Sequence, residues 1–138
     1  MARRKTRTLT ELEHMIMKAL WERGEATVEE LRAALEAQDR PLALPSVRTM
    51  LGILREKGYA ARRKEGRVHV YWALISEERA QRRLLRDVIE RAFDGSARNL
   101  VAALIDMKTI GRGDLDRARR LIQKHEARAR QSAKERKK

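Results

Sequence analysis

The sequence predicts a mainly α-helical chain with a small β-hairpin wing: a winged helix-turn-helix followed by an all-helical dimerisation region. Three observations predict it. Apolar residues recur at i, i+3, i+4 and i+7 within residues 44–58, which is one face of a helix. Period-two alternation replaces that spacing by residues 67–74, and helical spacing returns from residue 76. Two further helical stretches precede residue 44, so the order reads helix, helix, helix, hairpin, helices.

A chain of 138 residues allows one domain, or one small domain plus an extension, and 4% aromatic content makes any core aliphatic. Absence of cysteine excludes disulfides and thiolate metal sites. No stretch approaches the ~20 apolar residues of a membrane span, and no apolar run follows the basic N-terminus. The expectation is a cytoplasmic protein without membrane insertion. The net charge of +13 is unevenly placed. Residues 1–7 hold Arg3, Arg4, Lys5 and Arg7 with no acid, and residues 117–138 hold ten Lys/Arg against Glu126 and Glu135. Residues 46–72 carry seven bases against Glu56 and Glu65, whereas residues 8–45 are net acidic. Basic clusters of this kind attract phosphate backbones and speed association with them.

Residues 1–7 read as a disordered basic arm. Thr10-Glu11-Leu12-Glu13 is a capping box, opening a helix with Leu12, Met15, Ile16, Ala19 and Leu20 on one face and Gly24 at its end. Thr27-Val28-Glu29-Glu30 is a second capping box. Its short helix turns Val28, Leu31 and Leu35 inward and Glu29, Glu30 and Glu36 outward, which suits a supporting helix rather than a groove-binder. The third helix packs Val47, Met50, Leu51 and Leu54 inward, with Pro45 in its first turn and Gly58 just past its end. Its other face offers Ser46, Arg48, Thr49, Gly52 and Arg55. Short hydroxyls and guanidinium groups fit a DNA groove, so Ser46, Arg48, Thr49 and Arg55 are the candidate reading residues.

Residues 59–64 read as a strand, Glu65-Gly66 as a turn, and residues 67–74 as the returning strand. Val68, Val70 and Trp72 lie on one side of it; Arg67, His69 and Tyr71 lie on the other. Arg62, Arg63, Lys64 and Arg67 are the candidate phosphate contacts of this wing, and the DNA-binding domain spans residues 8–75. His69 stands alone, which fits phosphate contact or exposure rather than metal binding or catalysis.

Residues 76–125 form the expected dimerisation region. Ser76-Glu77-Glu78 starts a helix whose stripe includes Leu84, Leu85, Val88, Ile89 and Phe93. Asp94-Gly95 breaks it, Ser96 caps the next helix, and Leu100, Val101, Leu104 and Ile105 form that helix's apolar face. Gly111-Arg112-Gly113 breaks the chain again before a last helix from Asp114. Stripes this thin are best buried by mutual packing across a two-fold axis, that is, in a homodimer. Beyond about His125 the chain is charge and alanine, and residues 126–138 read as a fraying helix end or basic tail. No Gly-rich phosphate loop, metal-spaced cluster or nucleophile–base pair is present, so the expectation is no enzyme, no metal and no cofactor.

Residues 9–21 resemble the opening helix of the penicillinase-repressor family of winged-helix transcriptional regulators (the BlaI/MecI/CopY type), with Glu13, Met17 and Leu20-Trp21 in register and His14 where a tryptophan is usual. Ser46-Val47-Arg48-Thr49-Met50-Leu51, with Leu54 and Lys57-Gly58, is similar to that family's recognition helix, and Glu65-Gly66-Arg67 with Tyr71 to its wing. The most specific match is Phe93-Asp94-Gly95-Ser96 with Leu100-Val101, similar to a signature of the family's dimerisation region. The resemblance implies a homodimeric repressor on a dyad-symmetric double-stranded DNA operator, released when a membrane sensor-protease triggers cleavage in the dimerisation helices. The scissile Asn-Phe of antibiotic-responsive members falls at Ala103-Leu104, and the Cys-x-Cys pairs of copper-responsive members are missing. A basic architectural protein, associated with DNA or RNA without sequence readout, is the alternative that the tail charge supports.

Overall fold

A computed structural model describes residues 8–108 and 110–136. The basic arm expected at residues 1–7 lies outside them. The chain divides into two compact units, Met1–Val88 and Ile89–Lys138.

The first unit contains α1 (Glu11–Arg23), β1 (Glu25–Thr27), α2 (Val28–Ala37), α3 (Leu44–Glu56), β2 (Ala60–Glu65), β3 (Val68–Ala73) and the start of α4 (Glu77–Ala92). Both expected capping boxes form. The Thr10 hydroxyl accepts from Glu13 N–H while the Glu13 carboxylate accepts from Thr10 N–H, and Thr27 and Glu30 repeat the exchange. Each box satisfies a helix N–H that has no partner within its own helix and fixes where that helix begins.

The sheet has three strands in the order β1-β3-β2, all antiparallel. Strand β1 departs from the sequence expectation of a simple hairpin. At three residues it is too short to display an alternation, and Thr27 doubles as the cap of α2. Register sets Ala26 and Arg62 against Tyr71, Ala60 against Ala73 and Lys64 against His69, so these residues share one face. Ala26, Ala60 and Tyr71 anchor that face in the core, whereas Arg62 and Lys64, nearer the turn, are exposed. The core is otherwise helical and aliphatic: Ile16, Met17, Leu20, Leu31, Leu35, Val47, Leu51 and Leu54 are sealed from water, with Tyr59 the largest side chain among them. Ile75 and Ala80 belong to this cluster, so α4 begins as part of the winged unit. Trp21 Nε1 donates to the Ile75 carbonyl at 2.9 Å, and Lys18 pairs with Glu77 at 3.6 Å.

The second unit holds the end of α4, then α5 (Ala97–Asp106) and α6 (Arg112–Arg136). Ser96 caps α5, accepting from Asn99 N–H at 3.1 Å. Helix α6 runs unbroken to Arg136, past the point near His125 where the apolar pattern stops. Alanines at 127, 129 and 133 favour helix there, as do i, i+4 contacts of Glu126 with Arg130 and of Gln131 with Glu135. No described residue after Ala80 is buried. Leu85, Val101, Ile105, Met107, Leu121 and Ile122 are each at least half exposed.

Candidate nucleic-acid interface

Helix α3 is held by one face and open on the other. Val47, Leu51 and Leu54 are 0% exposed, which fixes its rotation and leaves Ser46, Arg48, Thr49 and Arg55 exposed. Arg48 and Arg55 are separated by two helical turns and lie along one stripe. The Thr49 hydroxyl donates to the Pro45 carbonyl at 3.0 Å, so its proton is used within the helix while its oxygen lone pairs and methyl group remain for a ligand. At the helix end, Gly58 N–H reaches the Arg55 carbonyl (3.1 Å) and Tyr59 N–H the Leu54 carbonyl (2.9 Å), a Schellman pair. Gly58 takes φ +84° to make it, a conformation that a Cβ penalises, and the chain turns directly into β2. Lys57, the capping residue, sends its ammonium 2.7 Å to Glu13 Oε1 and 3.1 Å to the Thr8 carbonyl.

The wing turns at Gly66-Arg67, with Gly66 at φ +62°. Arg62, Lys64 and Arg67 are exposed. Arg63, expected beside them as a phosphate contact, is placed differently. It lies on the opposite sheet face, where Nη1 and Nη2 hold the Glu25 carboxylate at 2.7 and 2.8 Å and Nε holds Glu65 at 2.9 Å. Its guanidinium also sits 5.6 Å from the Trp72 ring centre. The hydrogen bonds from Arg63 hold the Glu25 carboxyl below its ordinary range, and those to Glu25 and then Glu65 push the Arg63 pKa upward. The structure therefore brings Arg62 and Lys64 together and assigns Arg63 to bracing β1 against the hairpin.

His69 lies on β3, on the sheet face that carries Arg62 and Lys64. Its ring is half-buried opposite Lys64. Burial first, and then the charges of Arg62, Lys64 and Arg55, hold its pKa below the usual value. The charges acting on this ring thus come from both α3 and β2. Sequence reasoning had no signal for this convergence, nor for the Glu13–Lys57 and Glu25–Arg63 pairs, whose members lie 44 and 38 residues apart.

Of the apolar candidates beyond the wing, Leu84, Leu85, Val101, Leu104 and Ile105 are exposed; Val88, Ile89, Phe93 and Leu100 are half-buried. Ala103 and Leu104 lie inside α5. Among the described residues, no group of three His, Asp or Glu could hold a metal, and no helix is long and apolar enough to cross a membrane.

Three helices, the third turning hydroxyl and guanidinium groups outward beside a basic hairpin, define a winged helix-turn-helix of the DNA-binding kind. The family model described as penicillinase repressor matches residues 9–124, and the chain belongs to this family of DNA-binding transcriptional repressors. The methicillin resistance regulatory protein MecI of Mammaliicoccus sciuri is 20% identical over 120 residues, 87% of this chain and 97% of its own length. The transcriptional regulator BlaI of Mycobacterium tuberculosis is 31% identical over 121 residues, 86% of each chain. The solved DNA-binding domain of the repressor BlaI is 29% identical, with a TM-score of 0.47 over 54% of this chain and 90% of that one.

Proposed function

We propose that the chain is a sequence-specific repressor that binds a dyad-symmetric double-stranded DNA operator as a homodimer. The observation that carries the reading is the rotation of α3. Three fully buried side chains hold its polar stripe outward beside the cationic wing, a geometry that enters a major groove. Ser46, Arg48, Thr49 and Arg55 meet base edges and adjoining phosphates. Arg62, Lys64 and Arg67 grip the backbone, and Arg63 keeps the wing in shape for them.

Dimerisation is supported by the second unit, which exposes large apolar side chains and buries none of its described residues. Helices without a core do not offset the entropy cost of their own ordering unless a partner covers their stripes. A second copy supplies that cover through Leu84, Leu85, Val88, Ile89, Phe93, Leu100, Val101, Leu104 and Ile105. Two half-sites then lie about one DNA turn apart, ~34 Å, or a multiple of it. The resemblance to the family implies derepression by a membrane sensor-protease; a cut at Ala103-Leu104, which stand in place of the Asn-Phe of antibiotic-responsive members, falls in the last turn of α5.

The test is a footprint of the purified chain on DNA from its own promoter region. Two protected half-sites related by a dyad are expected, and a featureless or extended footprint contradicts the reading. That second outcome favours a basic architectural protein, a reading supported by the basic run along α6. Deleting residues 126–138 separates the two. A repressor keeps its operator preference and loses some salt-dependent affinity, whereas an architectural binder loses most of its binding.

A further inference from the structure

We infer that Arg55, Arg62, Lys64 and His69 form the seat of one DNA phosphodiester at the junction of α3 and the wing, and that filling it loads one proton onto His69. The inference rests on the DNA-binding reading and deepens it. Lys64 and His69 are cross-strand partners, Arg62 shares their sheet face, and the positive charge of Arg55, in the last turn of α3, acts on the same ring. Arg62 is oriented by donating to the Tyr71 hydroxyl at 3.3 Å. His69 Nδ1 is a buried polar atom with no hydrogen-bond partner among the described residues.

Groups acting on the ring come from two elements, Arg55 from α3 and Arg62 and Lys64 from β2, and no carboxylate is among them. In the free protein, therefore, nothing favours the imidazolium: burial and three like charges oppose it, and one ring nitrogen is orphaned. A phosphodiester supplies the missing counter-charge. Its charge offsets the three cations, and its two free oxygens accept from the guanidinium groups, the ammonium and the ring. The proton comes from solvent and remains on the imidazole while the phosphate is seated. Because the bound form then titrates at higher pH than the free form, affinity rises as pH falls through the bound value. It levels off below the free value.

The test measures affinity of the full chain for a mixed-sequence duplex from about pH 5.5 to about pH 8, with NMR following the His69 ring. Four results are expected. The ring titrates at higher pH with duplex than without. Affinity rises on acidification by up to about tenfold per pH unit between the two values. His69→Gln flattens that rise, whereas His14→Gln keeps it. Inorganic phosphate at matched ionic strength leaves the His69 titration unmoved. An unchanged His69 titration in the presence of bound duplex overturns the inference and leaves DNA binding standing. An equal shift with inorganic phosphate overturns the assignment to DNA. Binding to no duplex at any pH overturns both readings.

Discussion

Lys57 Nζ lies 2.7 Å from Glu13 Oε1, and both side chains are nearly sealed from water, at 6% and 3% exposure. The same Glu13 oxygen accepts from Thr10 N–H at 2.9 Å, so one carboxylate caps α1 and anchors the end of α3. Lys57 also donates to the Thr8 carbonyl, tying the segment before α1 to the same point. The pair spans the winged unit and fixes the helix that carries the reading stripe. Breaking a buried pair leaves an uncompensated charge, at a cost of about 3–5 kcal/mol. Glu13→Gln and Lys57→Met are each expected to destabilise by that order, and the double variant by clearly less than their sum. Denaturant unfolding of the four proteins measures this, and strict additivity would show that the two groups do not act as a unit.

Arg48 lies on the exposed stripe of α3, and its side chain makes no hydrogen bond or ion pair with another described residue. Arg48→Ala is expected to reduce affinity for the operator more than affinity for unrelated duplex, by about 1–3 kcal/mol in discrimination. Competition binding at fixed salt decides it. Equal loss on both DNAs would reassign Arg48 to a backbone phosphate.

Arg62 and Arg63 are sequence neighbours with different roles in this account. Arg62→Ala is expected to weaken binding to all duplexes and to reduce the slope of log affinity against log salt by about 1. Arg63→Ala leaves that slope unchanged, because its N–H groups are already committed to Glu25 and Glu65. It loosens the bracing of β1 instead, visible as faster amide exchange across β1 and β3. A reduced salt slope in Arg63→Ala would place that side chain on DNA.

Val101 and Ile105 are half exposed on one face of α5, four residues apart. Ile105→Glu is expected to convert the proposed dimer into a monomer in sedimentation at micromolar concentration and to reduce operator affinity steeply, since each half-site then binds alone. The winged unit stays folded, because none of its buried core residues lies beyond Ala80. An unchanged sedimentation coefficient would remove α5 from the dimer interface.

Much of the winged unit was legible because its signals are local. Thr10 with Glu13, Thr27 with Glu30, and Gly58 after Leu54 each fix an element end within a few residues, and the structure forms all three. The apolar spacing of Val47, Leu51 and Leu54 likewise fixes which way α3 faces. What escaped the sequence is non-local. Strand β1 is defined by its partner β3 rather than by its own three residues. Arg63 looks like its basic neighbours until the sheet sets it on the face that meets Glu25. His69 looks isolated until the strand register sets Lys64 opposite it. The extent of α6 escaped for a different reason: its last turns carry no apolar stripe, and alanine with surface pairing sustains them.

The central claim is sequence-specific binding by a two-fold symmetric protein. Selection of bound duplexes from a random pool by the purified full chain, at near-physiological salt, tests it most directly. A consensus of two inverted half-sites at one fixed spacing is expected, and Arg48→Ala is expected to degrade it. Recovery of duplexes with no consensus, or with shape bias alone, would contradict it.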